Sequence, residues 1–251
     1  MAEILRTFDR GILRVTLNRP ERRNALSRSA LRELRGVFEA HAREPELRIG
    51  VIDGAGLAFC AGGDLRDLVD TKTQEAAEAF AAEGTAALDA IRLFPVPTLA
   101  ALNGVALGGG AEIAVACDMR LGGPHTRIGF VHALHNISTG WGGGADLTRL
   151  VGYGRAMELL AGARVLSAEE AVAIGLINSV AAEMESFVEF VEGFVAPMRD
   201  RPPHVMRALK AQALAERFGR PPLDRREGDA ARFVESWIHP AHWVAAENAL
   251  K

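Results

Sequence analysis

The sequence is poor in the features that mark secreted, membrane-embedded and metal-binding proteins. Only two cysteines, Cys60 and Cys117, occur among 251 residues, both in apolar surroundings and neither in a metal-ligand spacing. No apolar run approaches the roughly 20 residues of a membrane span, and the first ten residues resemble neither a signal peptide nor a transit peptide. These absences predict a cytoplasmic protein with no disulfide framework, no metal and no membrane partner.

An excess of one charge is also lacking. The chain carries 29 basic and 32 acidic side chains, a formal net charge of −3. It therefore lacks the excess of basic residues that a nucleic-acid partner would require. Hydrophobic residues make up 49% and charged residues 24% of the chain, the balance of a globular protein. With no repeats and no long linker, we expect a single domain over residues 1–251.

Strand and helix patterns alternate along the first half of the chain, which predicts a layered α/β fold. The predicted elements are a hairpin of Ile4–Phe8 and Ile12–Leu17, a helix capped by Ser27, a buried strand Ile49–Ile52, a helix over about 73–93 and a strand Thr98–Leu102. Past Ala145 helical patterns dominate, including one over Asp224–Trp237, with Ile177–Val180 as a strand candidate. We therefore expect an α/β core to about residue 195 and C-terminal helices over about 196–251.

Glycine is the informative residue, with 26 copies, some in clusters before helical segments. Gly108–Gly110 lead into a predicted helix, Ala111–Ala116. The free N–H groups and positive dipole end of such a helix suit an oxyanion, although a tight turn with close helix packing is an equal alternative. Gly62-Gly63 precede Asp64, a predicted N-cap of a short helix Leu65–Val69. Two such loops would hold one carbonyl oxygen better than either alone.

The glycine clusters do not match nucleotide-binding patterns. Neither Gly-x-x-x-x-Gly-Lys-Ser/Thr nor Gly-x-Gly-x-x-Gly occurs in the sequence. Instead, four motifs in order resemble the enoyl-CoA hydratase/isomerase (crotonase) superfamily over almost the whole chain to about residue 180. These motifs are Leu17–Ser27, Ala-Gly-Gly-Asp at 61–64, Gly-Gly-Gly-Ala-Glu at 108–112 followed by Ala-Cys-Asp, and Gly142-Gly143 before Leu147–Gly152.

The resemblance implies a ββα-superhelix core with C-terminal helices that assemble homotrimers or dimers of trimers. It implies an acyl-CoA substrate whose thioester oxygen is held by the backbone amides of Gly63 and Gly109. The implied substrate-binding residues are Arg22, Arg23, Ala25, Leu26, Ala61, Asp64 and Trp141. No separate cofactor is expected, because coenzyme A arrives on the substrate. Trp237 and Trp243 are expected in the core or at a subunit interface.

One position departs from the hydratase pattern. Glu112 occupies the place of the first catalytic glutamate of family hydratases, but His132 stands where the second should be. The Phe-Val-His segment, with Gly140–Gly143 after it, resembles the ethylmalonyl-CoA and methylmalonyl-CoA decarboxylase branch. Decarboxylation of a malonyl-type thioester is therefore the first expectation, since two amide donors can hold the enolate.

Alternatives remain open at this stage. An enoyl-CoA hydratase or isomerase could use Glu112 as its base, and a homologue without catalysis could bind coenzyme A or RNA. His132 could instead be a packing histidine, and His135 is expected to be one. Phe130, Val131, Leu134 and Trp141 suggest a restricted apolar acyl pocket.

Overall fold

The computed structural model describes residues 2–184 and 186–219, together with 228, 230–235, 237 and 239–241. The strands in this part of the chain are β1 Ile4–Asp9, β2 Ile12–Leu17, β3 Ile49–Gly54, β4 Ala58–Cys60, β5 Thr98–Leu102, β6 Val105–Leu107, β7 Met119–Gly122, β8 Arg127–Gly129, β9 Val165–Ser167 and β10 Ser179–Val180. The α-helices are α1 Arg28–His41, α2 Gln74–Arg92, α3 Gly109–Ala116, α4 Gly143–Val151, α5 Tyr153–Gly162, α6 Ala168–Ala173, α7 Phe187–Arg199 and α8 Pro203–Arg217.

The larger sheet has six strands in the order β1-β2-β3-β5-β7-β10. The β1–β2 hairpin is antiparallel and every other neighbouring pair is parallel. Alternate residues of its central strands face opposite sides: Ile52 and Ala100 join the main core, whereas Val51 and Leu99 pack with α7. This two-sided burial explains why the central strands are continuous apolar runs. The α/β class and the hairpin are confirmed.

Helix starts follow their expected caps. The Ser27 hydroxyl accepts a hydrogen bond from the Ala30 N–H at 2.9 Å, and Thr73 caps α2 in the same way. The segment after Asp64 differs from the prediction. Residues 65–70 form turns rather than a helix, although the Asp64 carboxylate still accepts a hydrogen bond from the Arg66 N–H at 3.1 Å.

A second sheet, which the sequence patterns did not indicate, has the order β4-β6-β8-β9. Each of its strands has three residues, too few for a period of two to be recognised. It brings the ends of β4 and β6, and therefore the two glycine clusters that follow them, side by side through parallel pairing. This sheet is what places the two clusters at one site.

Of the predicted helix Asp224–Trp237, residues 228, 230–235 and 237 are described and are helical, as predicted; its other residues and Trp243 lie outside the described residues. Trp237 is described, and on the single chain its ring lies 5.3 Å from that of Phe233 with 46% of the residue exposed. Among the helices that the structure describes, none has the length and apolar character required to traverse a bilayer.

Candidate active site

A cavity of about 320 Å³ lies at the N-terminal end of α3. Its lining joins the two glycine clusters with both candidate catalytic side chains and a set of apolar groups: Ala61, Gly63, Leu65, Leu68, Phe80, Gly109, Glu112, Val131, His132, His135, Ile137 and Trp141 are among its residues. The structure thus brings together Gly63, Gly109, Glu112 and His132, which come from three separate stretches of sequence, with Gly109 and Glu112 both in α3.

The two glycine loops are in contact and leave two amides available. A Cβ on Gly62 would lie 3.0 Å from the Leu107 carbonyl and 3.5 Å from the Gly109 nitrogen, and the positive φ of Gly62, 104°, also favours glycine. Gly108 likewise has a φ of 53°. Within the described part of the chain, neither the Gly63 N–H nor the Gly109 N–H donates a hydrogen bond to another backbone group. Both glycines border the same cavity, as a site in which their amides hold one oxygen atom requires.

Glu112 is buried in the first turn of α3, and its two carboxylate oxygens have different partners. Oε2 accepts hydrogen bonds from the Trp141 N–H at 3.0 Å and the Gly143 N–H at 2.8 Å. Oε1 lies 3.1 Å from Nε2 of His132. A Cβ on Gly143 would lie 2.4 Å from Cγ of Glu112, so glycine is required for this approach. Backbone N–H groups therefore fix Oε2, whereas Oε1 faces His132.

His132 lies in a short 3₁₀ helix, Val131–His135, and its side chain is 12% exposed. Nε2 faces the carboxylate, and in the tautomer that protonates this atom its N–H points to Oε1. Nδ1 is buried and has no hydrogen-bond partner among the described residues. His132 therefore contacts Glu112 directly, a relationship that its position in the sequence did not reveal.

The apolar end of the cavity is closed by Trp141, which is 5% exposed. Its indole lies where side chains on two glycines would otherwise be: a Cβ on Gly84 would lie 2.0 Å from its Nε1, and one on Gly109 would lie 2.4 Å from its Cζ3. Phe80 packs edge-on at 5.5 Å. Of the other pocket candidates, Val131 lines the cavity, whereas Phe130 is buried in the core and Leu134 is 69% exposed.

A second, more open cavity of about 490 Å³ adjoins the first. The two share five lining residues, Ala61, Gly63, Leu65, Val131 and His135. The second cavity is also lined by three arginines, Arg22, Arg23 and Arg66, and by Ala25 and Asp64. His135, expected to be a packing histidine, is instead exposed and borders both cavities.

The loop that carries these arginines is held in a specific conformation. Arg23 and Asn24 have positive φ values of 50° and 57°. The buried Asn24 amide donates to the carbonyls of Ala55 and Ala58 at 3.0 and 2.7 Å. Leu26, a predicted substrate-binding residue, is 1% exposed and lines neither cavity. Its backbone pairs with Gly62 and Asp64, so Leu26 holds the glycine loop rather than facing the site.

Asp64 is an ion-pair partner as well as a lining residue. Its Oδ2 lies 2.9 Å from an Arg19 guanidinium nitrogen. Burial by itself raises the pKa of this carboxyl, but the hydrogen bonds from Arg19 and from the Arg66 and Asp67 amides outweigh it and hold the pKa below its ordinary value. Asp64 therefore fixes the end of the glycine loop in its charged form.

Arg66, Leu68 and Phe80 were missed in the sequence analysis. Arg66 and Leu68 lie in the turns that were predicted to be helical, so the surfaces they present could not be assigned. For Phe80 an indirect signal existed. Gly84 interrupts the Ala-rich α2 four residues later, and a glycine inside a helix indicates close packing, here with the Trp141 ring that Phe80 contacts.

Comparisons with known proteins identify the family to which this chain is similar. The family model for enoyl-CoA hydratase/isomerase matches residues 7–240. A short-chain-enoyl-CoA hydratase of Clostridium acetobutylicum is 38% identical over 167 residues, which span 66% of this chain and 64% of that protein. The mouse mitochondrial methylglutaconyl-CoA hydratase is 37% identical over 174 residues, which span 68% of this chain and 55% of that protein.

The fold agrees as well. A crystal structure of an enoyl-CoA hydratase from Mycobacterium smegmatis superposes with a TM-score of 0.93 at 26% identity, covering 100% of this chain and 96% of that one. The α/β crotonase fold that the motifs implied is therefore confirmed. The chain belongs to the enoyl-CoA hydratase/isomerase family.

Proposed function

We propose that the protein is an enoyl-CoA hydratase acting on short acyl chains, with Glu112 as its acid and base. The observation that carries this proposal is the position of Glu112 Oε1, 3.1 Å from His132 Nε2 in the cavity that Gly63 and Gly109 also line. The relatives described above are named as hydratases. Hydration therefore has more support than decarboxylation, which was the first expectation from sequence.

Substrate binding divides between the two cavities. Arg22, Arg23 and Arg66 would pair with the phosphates of coenzyme A at the open cavity. The pantetheine arm would pass Ala61, and the thioester oxygen would accept hydrogen bonds from the Gly63 and Gly109 amides. The acyl chain would then lie against Trp141, whose ring limits its length. Coenzyme A enters with the substrate and no separate cofactor takes part.

Hydration needs one proton to be moved from water to the α carbon. Glu112 Oε1 takes a proton from a water molecule while the water oxygen bonds to the β carbon. The electron pair of the double bond moves toward the thioester, where the two amides stabilise the enolate. Glu112 then gives the same proton to the α carbon on the same face. His132, through its Nε2–H, holds the carboxylate oxygen that accepts the proton from water.

Decarboxylation is harder to reconcile with this arrangement. Glu112 Oε1 faces the cavity as a carboxylate oxygen, with Oε2 already bound to two backbone N–H groups. A second carboxylate on the substrate would lie against the first and be repelled at this short range. Isomerisation needs only one base and stays the second candidate, because Glu112 is the one carboxylate among the residues described around the acyl cavity.

The test uses purified protein and a set of acyl-CoA substrates. We expect crotonyl-CoA to lose its enoyl-thioester absorbance, with faster turnover than six- or eight-carbon enoyl-CoAs. Methylmalonyl-CoA and ethylmalonyl-CoA should release CO₂ far more slowly. Faster CO₂ release than hydration would contradict the proposal, and conversion of a 3-enoyl-CoA without hydration of crotonyl-CoA would favour an isomerase.

A further inference from the structure

We propose that Arg92, a buried arginine outside both cavities, is a positioning residue that holds the carboxylate of Glu112 in its working geometry. Arg92 lies in the last turn of α2 and is 4% exposed. It lines neither cavity. This inference rests on the proposed role of Glu112.

The guanidinium of Arg92 has three partners. Nε donates to Oδ2 of Asp146 at 2.7 Å, and Nη2 donates to the Trp141 carbonyl at 2.6 Å. Nη1 donates to Asp89 at 2.8 Å, on the more exposed side. Asp146 is itself buried, at 3% exposed. Arg92 therefore connects the Trp141 carbonyl with the Asp146 carboxylate in the first turn of α4.

The same segment is what binds Glu112. Trp141 accepts a hydrogen bond from Arg92 Nη2 through its carbonyl and donates its own N–H to Glu112 Oε2. Gly143 donates the second hydrogen bond to Oε2. Gly142, between them, has a φ of 86°, and a Cβ there would lie 3.0 Å from the Arg92 Nη2 atom. The Arg92 side chain thus packs against the turn at Gly142 and fixes the direction of the Trp141 and Gly143 N–H groups.

Asp146 extends the connection to a distant helix. Its Oδ1 lies 2.8 Å from an Arg217 guanidinium nitrogen. Arg217, at the end of α8, also donates to the carbonyls of Val115 and Ala116 at the end of α3. The helix that carries Glu112 and the segment that holds its carboxylate are therefore attached to one set of charges, in which Arg92 and Asp146 are buried and Arg217 is partly buried.

The consequence of losing Arg92 follows from these contacts. Without the guanidinium, the Trp141 carbonyl loses a charge-assisted hydrogen bond, and the segment 141–143 can shift. A displacement of about 1 Å at a catalytic group can cost on the order of 100-fold in rate. Glu112 would still be present, so substrate binding through the arginine-lined cavity would be retained.

The experiment is a double-mutant cycle between Arg92 and Glu112. We expect Arg92→Met to lower kcat for crotonyl-CoA by about 10- to 100-fold, with KM changed less than about 3-fold. Arg92→Lys keeps the charge but cannot contact Asp146 and the Trp141 carbonyl together. Its kcat should therefore lie between that of the wild type and that of Arg92→Met. In a Glu112→Gln background, the Arg92 substitution should lower the residual rate less than about 3-fold, because its target is already lost.

Amide hydrogen exchange supplies a readout besides activity. The Trp141 and Gly143 amides should exchange faster in Arg92→Met and Arg92→Lys than in the wild type. Arg207→Met is the matched control, because Arg207 also holds a loop through two backbone carbonyls, Ala42 and Glu44, but lines neither cavity. That control should keep kcat and the exchange rates of the Trp141 and Gly143 amides.

The outcomes separate the two proposals. If Glu112→Gln hydrates crotonyl-CoA at the wild-type rate, the proposed function fails. If Glu112→Gln is impaired but folded Arg92 variants keep full kcat, or lose equal factors in both backgrounds, the positioning role alone is wrong. Should Arg92→Met not fold, because the buried Oδ2 of Asp146 has lost its hydrogen-bond donor, the Arg92→Lys cycle decides. Unchanged amide exchange in that variant would overturn the inference even if the wild type hydrated no substrate tested.

Discussion

The two cavities of the site differ in how their polar groups are held. In the first cavity, which lies at the N-terminal end of α3 and is called the acyl cavity here, Glu112 is buried and three contacts of less than 3.2 Å fix its two oxygens. In the adjoining cavity, Arg22, Arg23 and Arg66 all stand exposed on the rim. The contacts in the first cavity hold the Glu112 carboxylate in one position, whereas the arginines of the second cavity attract negatively charged groups. Substitutions should therefore change kcat in one and KM in the other.

The largest effect should come from Glu112→Gln in the acyl cavity. Glutamine keeps an oxygen for the Trp141 and Gly143 amides but cannot accept and return a proton. We expect kcat for crotonyl-CoA to fall by about 100- to 10,000-fold, with KM changed little. Steady-state kinetics and a thermal melt would check this. A loss confined to KM would remove the difference between the cavities.

Glu112 also shows how much of the site could be predicted from sequence. Its position after the glycine cluster, the clusters themselves and the family resemblance were enough to predict two amides and one carboxylate, which the structure places around one cavity. The hydrogen bonds to its Oε2 come from residues about 30 positions later, and nothing in the local pattern of Trp141 or Gly143 indicates them. Sequence reasoning identified the side chain but not what holds it.

The fold divides in the same way. The long helices have a helical period, β3 and β5 are continuous apolar runs, and the hairpin joins two β-prone segments across a turn, so their patterns predicted them. The strands β4, β6, β8 and β9 have three residues each, and their pairing is a property of tertiary structure. His135 was misassigned for a related reason: the 3₁₀ helix that turns it toward the cavities has no sequence pattern of its own.

His132→Ala should have the next largest effect. Removing the imidazole leaves Glu112 Oε1 without the partner that holds it in place, so kcat should fall about 10- to 100-fold. The thermal midpoint should stay close to that of the wild type, because the His132 Nδ1 has no hydrogen bond to lose among the described residues. His41→Ala, whose ring nitrogen contacts the Val37 carbonyl away from both cavities, is the matched control. Normal turnover in His132→Ala would mean that the residue is structural.

A smaller effect, and on a different parameter, is expected at the arginine-lined cavity. Arg66→Gln removes one exposed cation that would pair with a coenzyme A phosphate, so KM should rise about 3- to 10-fold while kcat stays the same. The difference from the wild type should shrink as salt is added, because exposed charges are screened. Arg43→Gln is the control, since Arg43 is exposed and lines neither cavity. An equal rise in KM for that control would indicate only a general charge effect.

The smallest effect should be one of stability, at Asp64, where the two cavities meet. Asp64→Asn should lower the free energy of unfolding at pH 7 by about 1 kcal/mol, because the ion pair with Arg19 is lost. The pKa of Asp64 is held below its ordinary value in the folded protein, so its stabilisation is complete above the unfolded pKa of about 3.9 and disappears as the pH falls through the folded value. Urea unfolding at pH 7, 5, 4 and 3 should therefore show a constant difference between wild type and variant down to about pH 5 and a shrinking one below. A difference that grew on acidification would mean that burial, rather than the Arg19 pair, dominates at this carboxyl, and the glycine loop would then be held by its backbone hydrogen bonds to Leu26 and Arg23.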